Sequence, residues 1–293
     1  MDSRFQPMSQ CEFAALAQAF GAKVVHRNGV FWRRVRPLFY RPVLPVQEFP
    51  EMSAAKPFSR LFGYQHALAP AGLGNSAMQF IMLEDLQEYS LATLGRRRQQ
   101  LIRQAARKFQ VRPVSDLQEF KDRGFHAYRS FYERTGYAYG TERKSENTFH
   151  QWAETVFNHP KVILLGGYGP AGLAGVSRSY WVDHTMVYAT LFCETNAMRQ
   201  NLGELMFHEL RVLASQQPQI REIYVRNYQG GNSLDQYYLL RGCKLVAKPA
   251  RLEVPVGART VIRWLLPRQH ALLDGQISAG ATLSAPDECT SRN

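Results

Sequence analysis

What this sequence lacks narrows it first. No run approaches the roughly eighteen consecutive apolar residues that a helix needs to cross a bilayer. Met1 to Gln10 shows no basic start followed by an apolar stretch, so no secretory leader is expected and the chain reads as cytoplasmic. Cysteine is scarce: Cys11, Cys193, Cys243 and Cys289 lie far apart without a CxxC pair, which argues against a zinc site or a disulfide framework. The eight histidines form no close pair at metal-ligand spacing, so no metal is expected. No Ser-His-Asp or Cys-His arrangement stands out, and no repeat of solenoid length recurs. Acidic residues are in deficit, 24 against 36 Lys and Arg, for a net charge of +12. Such a surface attracts phosphate-rich partners, among them nucleic acid, coenzyme A and an anionic membrane face, without choosing between them; peripheral membrane contact is one way to use it.

What is present suits a globular protein, since 293 residues with 45% hydrophobic content can bury one large core or two modest ones. The first third opens with a helical pattern around Phe13 to Phe20. A hairpin follows: Lys23 to Arg27, Asn28-Gly29, then Val30 to Val35, where Asn-Gly supplies the two positive-φ positions of a type I′ turn. Pro37, Pro42, Pro45 and Pro50 punctuate short extended pieces, Lys56 to Gly63 reads as loop, and Met78 to Leu83 reads as a strand. A helix over about Ser90 to Phe109 concentrates arginine, from Arg96-Arg97-Arg98 to Arg103, Arg107 and Lys108, with Leu94, Leu101 and Ala105 as its packed stripe. Its basic face is either a solvated surface or a grip for phosphates.

From Val111 the order becomes regular. Ser115 and Gln118 stand at capping-box spacing before a helix ending near Gly136, and a second helix spans about Glu146 to Asn158. Lys161 to Tyr168, Leu173 to Val182 and Thr185 to Cys193 form an antiparallel meander. A long helix over Gln200 to Gln216, a strand at Ile223 to Arg226, a short helix at Ser233 to Arg241 and a closing strand at Lys244 to Val254 complete the pattern. A basic and aromatic piece, Val261 to Leu273, precedes a Ser/Ala/Thr-rich end expected to be disordered.

That order resembles the GNAT superfamily, and within it the Fem-type branch of peptidoglycan-bridge aminoacyltransferases and acetyltransferases found near polysaccharide genes. Three stretches carry the resemblance: Ile102-Arg103-Gln104-Ala105-Ala106-Arg107-Lys108 ending the basic helix, Gly172 with Ala174-Gly175 in the meander, and Asn232-Ser233-Leu234 with Tyr237-Tyr238 and Gly242 at the closing helix. Cys243 stands where the family usually has an aromatic residue. The resemblance implies an α/β (α+β) GNAT fold with a mixed, mostly antiparallel central sheet flanked by helices. It further implies a partial GNAT-like domain over 1–110, the acyltransferase domain over 111–256 and an extension over 257–293.

The implied activity is transfer of an acyl group from acyl-CoA such as acetyl-CoA, or of an aminoacyl group from aminoacyl-tRNA, to an amine on an amino sugar, amino acid or cell-envelope precursor. Tyr238 falls where many such enzymes place the tyrosine that protonates the leaving group; a packed aromatic is its plain structural reading. Glu194, after the third meander strand, is the candidate base. Gln200, Asn201, Leu202 and Gly203 match the start of the pyrophosphate loop, but Glu204 puts a carboxylate where phosphates would lie and Leu205 crowds the next small position. Asn232 is a candidate cofactor contact or merely a helix cap. Arg226 and Asn227 end a buried strand beside the expected cleft, and Arg103 and Arg107 are candidate phosphate contacts. Two rival readings stand beside this one. A non-catalytic GNAT relic would bind RNA or an anionic surface through Arg96 to Lys108. Gly167-Tyr168-Gly169-Pro170-Ala171-Gly172 also fits GxGxxG, the signature of a Rossmann flavin or nicotinamide site, if a helix follows it.

Overall fold

Asn28 and Gly29 take positive φ, 51° and 74°, and close the expected hairpin between β1 (Val24–Arg27) and β2 (Val30–Arg36). The computed structural model describes residues 5–50, 58, 62–70, 72–137, 145–255, 257–265 and 267–275. Cys289, Val256 and the Ser/Ala/Thr-rich end lie outside the described residues, as does most of 56–63. Helix α1 (Gln10–Ala19) precedes the hairpin, and β3 (Phe39–Pro42), β4 (Glu48–Phe49), β5 (Gly63–Leu68) and β6 (Ser76–Leu83) follow it. Then come α2 (Arg96–Ala106), β7 (Gln110–Pro113), α3 (Leu117–Thr135) and α4 (Glu146–Asn158). The meander is β8 (Val162–Gly169), β9 (Gly172–Val182) and β10 (Thr185–Cys193). The chain continues through α5 (Thr195–Arg199), α6 (Leu202–Ser215), β11 (Glu222–Asn227), α7 (Ser233–Leu239), β12 (Lys244–Glu253), α8 (Ala258–Leu265) and α9 (Pro267–Asp274).

These strands form one sheet in the order β1-β2-β3-β5-β12-β6-β11-β10-β9-β8-β7, with β4 beside β5. Most neighbours are antiparallel; β10–β11, β3–β5 and β4–β5 are parallel. The closing strand β12 does not stay with the meander. It inserts between β5 and β6, pairing Ala250 with Ala67 and Lys244 with Met82, so strands from before 110 and after 111 share one hydrogen-bonded sheet. This is the expected mixed, mostly antiparallel sheet flanked by helices.

Side chains alternate across the pleat, and the two faces bury different sets. Val162, Leu164, Tyr180, Val187 and Tyr224 pack with Leu16 of α1, Phe120 and Tyr128 of α3 and Phe149 of α4. Ile163, Leu165, Met186, Ile223 and Val225 pack with Ile102 of α2, Leu202 and Met206 of α6 and Tyr238 of α7. A third cluster, Val30, Trp32, Phe49, Phe58 and Tyr64, closes the N-terminal end. Truncating a fully buried ring such as Phe149 would cost about 3–5 kcal/mol.

The expected boundaries shift where capping chemistry overrides periodicity. Ser90 caps a short 3-10 turn, Leu91–Thr93, and Gly95 caps α2, so the basic helix starts later than Ser90. The cap of α3 is Asp116, whose carboxylate accepts from the Glu119 amide at 3.0 Å, rather than Ser115. The helix expected from Gln200 starts at Leu202, because Asn201, at φ 68°, separates it from the short helix α5 that ends at Arg199. The Rossmann alternative is overturned: Gly172, at φ 97°, turns β8 into antiparallel β9, and no helix follows the glycines.

Candidate active site

The parallel pair β10–β11 is joined at its first residues, Thr185 with Glu222, Met186 with Ile223 and Val187 with Tyr224. Beyond these the strands part. A bulge sits at the parting on each: between Tyr188 and Thr190 against β9, and between Tyr224 and Arg226 against β6. A bulge bends its strand and re-aims its side chains, so both strands curve off the ladder at the same level. The gap opens into a cavity of about 810 Å³. Its walls are Arg178 and Tyr180 of β9, residues 187–191 of β10, residues 224–227 of β11 and Tyr238 of α7. Phe13 and Leu16 of α1, Phe20 just after it, and the β2–β3 residues Arg33 and Arg41 close it from the N-terminal side.

Among the described residues, the cavity is lined by four arginines, Arg33, Arg41, Arg178 and Arg226, and by no aspartate, glutamate, lysine or histidine. Arg178 is 8% exposed. Its guanidinium lies 4.9 Å from the Phe20 ring centre and 5.4 Å from those of Trp152 and Tyr180, a cation–π setting that compensates part of its desolvation. One nitrogen, Nη2, donates to Thr190 Oγ1 at 3.2 Å, while Nε and Nη1 are buried without a hydrogen-bond partner. Arg41 donates from Nη2 to Gln65 Oε1 at 2.6 Å, its Nε is unpartnered, and burial pushes its pKa down from the ordinary arginine value. Gln65 is itself anchored by donating to Ser76 Oγ at 2.9 Å.

Arg226 is held from behind, its Nε 3.5 Å from Asp235 Oδ1, and its Nη1 is buried without a hydrogen-bond partner. Asp235 is fully buried and accepts from the amides of Gln229, Gly231 and Asn232 at 2.9, 3.0 and 3.3 Å. That one carboxylate therefore fixes both the turn after β11 and the cation at its end. Asn227 Oδ1 is a further buried, unpartnered polar atom. Burial pushes the Tyr224 phenol up to about 12, against the opposing pull of Arg41, Arg226 and Arg33, so it stays neutral.

Of the residues singled out from the sequence, the cavity gathers Tyr238, Arg226 and Asn227. Tyr238 is 7% exposed and packs edge-on to Tyr188 and Phe207, at 6.2 and 5.7 Å between ring centres. The others lie elsewhere. Glu194 does not line the cavity; its carboxylate faces Arg123 at 3.6 Å and His126 at 3.9 Å, both on α3. Asn232 caps α7 by accepting from the Asp235 amide at 2.9 Å. Arg103 on α2 and Arg107 just past its end are exposed, Arg103 donating to Gln99 at 3.0 Å.

Gln200, Asn201, Leu202 and Gly203 lead into α6 as expected, but the helix start is filled from within. Leu202 is fully buried, and a Cβ on Gly203 would lie 2.9 Å from Met198 Sδ and 3.1 Å from the Tyr237 hydroxyl. Glu204, 7% exposed, accepts from Arg98 of α2 and from Arg241 beyond α7. The Glu204 carboxylate is thus engaged by two arginines of the chain itself. The residues that the sequence reading passed over are Arg178, Arg41 and Asp235. Asp235 had a local signal, its capping-box spacing from Asn232; Arg178 and Arg41 had none.

No protein-family model matches the chain, and no curated protein matches it in sequence. Solved structures do match in shape. The C-terminal domain (DUF2156) of a putative lysylphosphatidylglycerol synthetase from Agrobacterium fabrum is similar at 9% identity and TM-score 0.56, over 91% of this chain and 98% of that one. FemX is similar at 7% identity and TM-score 0.54, over 87% of this chain and 93% of that one. The fold is therefore the GNAT fold in its Fem-type form.

Proposed function

We propose that the chain is an N-acyltransferase that brings an activated acyl or aminoacyl group and an amine acceptor together in the splay between β10 and β11. The observation that carries this reading is the parallel pair that parts after Val187 and Tyr224 into a cavity with the Tyr238 ring in its wall. Shared shape with FemX and the synthetase domain supports the fold beneath it.

The chemistry asks for three things: the amine aimed at the carbonyl carbon, positive charge or donors for the developing oxyanion, and a proton for the leaving group. The cavity is rich in the second, with its arginines and the neutral Tyr224 phenol. Tyr238 is our candidate for the third. A base is not among the described lining residues, so the amine proton passes to water, and catalysis rests on positioning and electrostatics. Arg226, held by Asp235, and Asn227 are our substrate contacts.

At the start of α6, Glu204 adds a carboxylate, paired with Arg98 and Arg241, that opposes the charge of a coenzyme A pyrophosphate. That observation favours aminoacyl-tRNA as donor, with the exposed Arg96, Arg97 and Arg103 of α2 and Arg107 just past it as contacts to the RNA backbone. The acceptor class is an amino sugar, an amino acid or a cell-envelope precursor. Incubation of the purified chain with acetyl-CoA or with labelled aminoacyl-tRNA and a panel of amines tests the proposal, with mass spectrometry of the products. Transfer that Tyr238→Phe reduces is the expected result. Salt-sensitive RNA binding without transfer from either donor would instead establish the non-catalytic relic.

A further inference from the structure

Outside the cavity, arginines held by the core leave single nitrogens open. Arg98 and Arg241 share Glu204, and Arg211, 3% exposed, gives Nη2 to the Arg241 carbonyl, with Nε left unpartnered on both Arg211 and Arg241. The cavity gathers more of them. Arg178 and Arg41 face it without any carboxylate among the described lining residues, and three of their nitrogens, Arg178 Nε and Nη1 and Arg41 Nε, are buried and unpartnered. Arg226 adds a fourth such nitrogen, Nη1, while Asn227 Oδ1, also buried and unpartnered, is an acceptor suited to an N–H of the ligand. A guanidinium held out of water with open N–H groups is costly unless an anion meets it, and its fork suits the paired oxygens of a carboxylate or phosphate. The positive groups stand on both banks of the splay: Arg178 on β9, beyond β10, and Arg226 and Arg41 beside Tyr224 on the other side.

We infer that the splay cavity binds a small ligand through an oxyanion, a carboxylate or phosphate gripped by Arg178 from one bank and by Arg41 and Arg226 from the other. If the transferase reading of the same cavity holds, this ligand is the acceptor, an amine that also carries the anion. Arg178 is then a specificity-determining residue that selects anionic amines over neutral ones of equal size. Thr190 and the rings of Phe20, Trp152 and Tyr180 hold its fork in place.

The test is binding, independent of turnover, on the purified full chain. Matched pairs of amines differ only in the anion: glucosamine 6-phosphate against glucosamine, and 4-aminobutyrate against butylamine. The anionic member should raise the melting temperature by roughly 3 °C or more at millimolar concentration while its neutral twin does not. The pair that responds identifies phosphate or carboxylate as the source. Arg178→Met should weaken binding at least tenfold, and Arg178→Lys should recover part of it, because an ammonium is a point charge and not a fork. With no ligand, Arg178→Met should melt no lower than the wild type, since it removes an unanswered charge and keeps the packing. Arg226→Gln provides the same binding readout should Arg178→Met fail to fold.

No response to either anionic amine would overturn the inference. So would a response that Arg178→Met and Arg226→Gln leave intact but Arg103→Gln/Arg107→Gln abolishes, which marks the general basic surface. A ligand-free Arg178→Met that melts well below the wild type while anions still bind would assign Arg178 a purely structural role. Binding that behaves as expected, with no acyl transfer from any donor, would overturn the transferase reading and leave the anion site standing.

Discussion

At the start of α6, the guanidinium groups of Arg98 and Arg241 converge on the buried carboxylate of Glu204. In the splay between β10 and β11, those of Arg41, Arg178 and Arg226 face an open cavity, and Asp235 touches Arg226 alone while already serving three backbone amides. One of these arginine clusters is electrically closed and the other is not. A carboxylate supplied by the chain turns an anion site into a structural clamp. Its absence leaves cations whose partner must come from outside.

The contrast breaks most visibly at Glu204. Glu204→Ala leaves two cations facing each other, one of them 22% and the other 12% exposed. Removing one member of a buried pair costs about 3–5 kcal/mol, and the partial exposure here lowers the expectation to about 2–4 kcal/mol. Urea unfolding at neutral pH measures it. A variant of wild-type stability would show that solvent satisfies both arginines, and the two sites would no longer differ.

Tyr238→Phe comes next and touches only the open site. Loss of a leaving-group proton donor should slow transfer by about 10²-fold, with stability changed by less than about 1 kcal/mol because the ring packing against Tyr188 and Phe207 remains. Full activity in the variant would send the proton by another route. Asp235→Asn should act less strongly on stability, about 1–2 kcal/mol, since the amide oxygen can still accept from the turn. It also releases Arg226 from its counter-charge. Anion binding measured by calorimetry should therefore tighten; if it weakens, Asp235 is needed to aim Arg226 more than it competes with the ligand.

The sequence made one side of this contrast legible and hid the other. Glu204 declared itself, because a glutamate right after Gly203 interrupts a helix start that phosphate binding would keep small. Tyr238, Arg226 and Asn227 followed from their places on the last helix and strand. Arg178, flanked by Ser177 and Ser179 in the meander, reads locally as the polar, outward side of an antiparallel strand. It is buried because α1 with its C-cap residue, more than 150 residues upstream, lays Phe13, Leu16 and Phe20 along the same cavity, and no local period encodes so distant a cover. Arg41 was hidden likewise between Tyr40 and Pro42, in a region where prolines masked β3. Glu194 was placed correctly at the end of β10, but the strand ends on the α3 side, where Arg123 and His126 meet it.

The smallest effect is also the closest reading of the cavity's charge. Tyr224 stands on β11 beside the arginines, and two forces act on its phenol: burial, which raises the pKa, and Arg41, Arg226 and Arg33, which lower it. Burial wins, and the phenol is pushed from 10.0 up to about 12. Because the folded value lies above the unfolded one, Tyr224 contributes stability that is fully present below pH 10 and is lost as pH rises toward 12. The slope is at most about 1.4 kcal/mol per pH unit, and Tyr224→Phe should abolish it while changing neutral-pH stability by about 1 kcal/mol or less. The difference in absorbance titration at 295 nm between wild type and variant reads the midpoint directly. A midpoint below 10 would mean that the three arginines prevail over burial and hold a tyrosinate as their own counter-ion. The cavity would then be closed by the chain itself, as the start of α6 is by Glu204, and an external anion would have no vacant charge to answer.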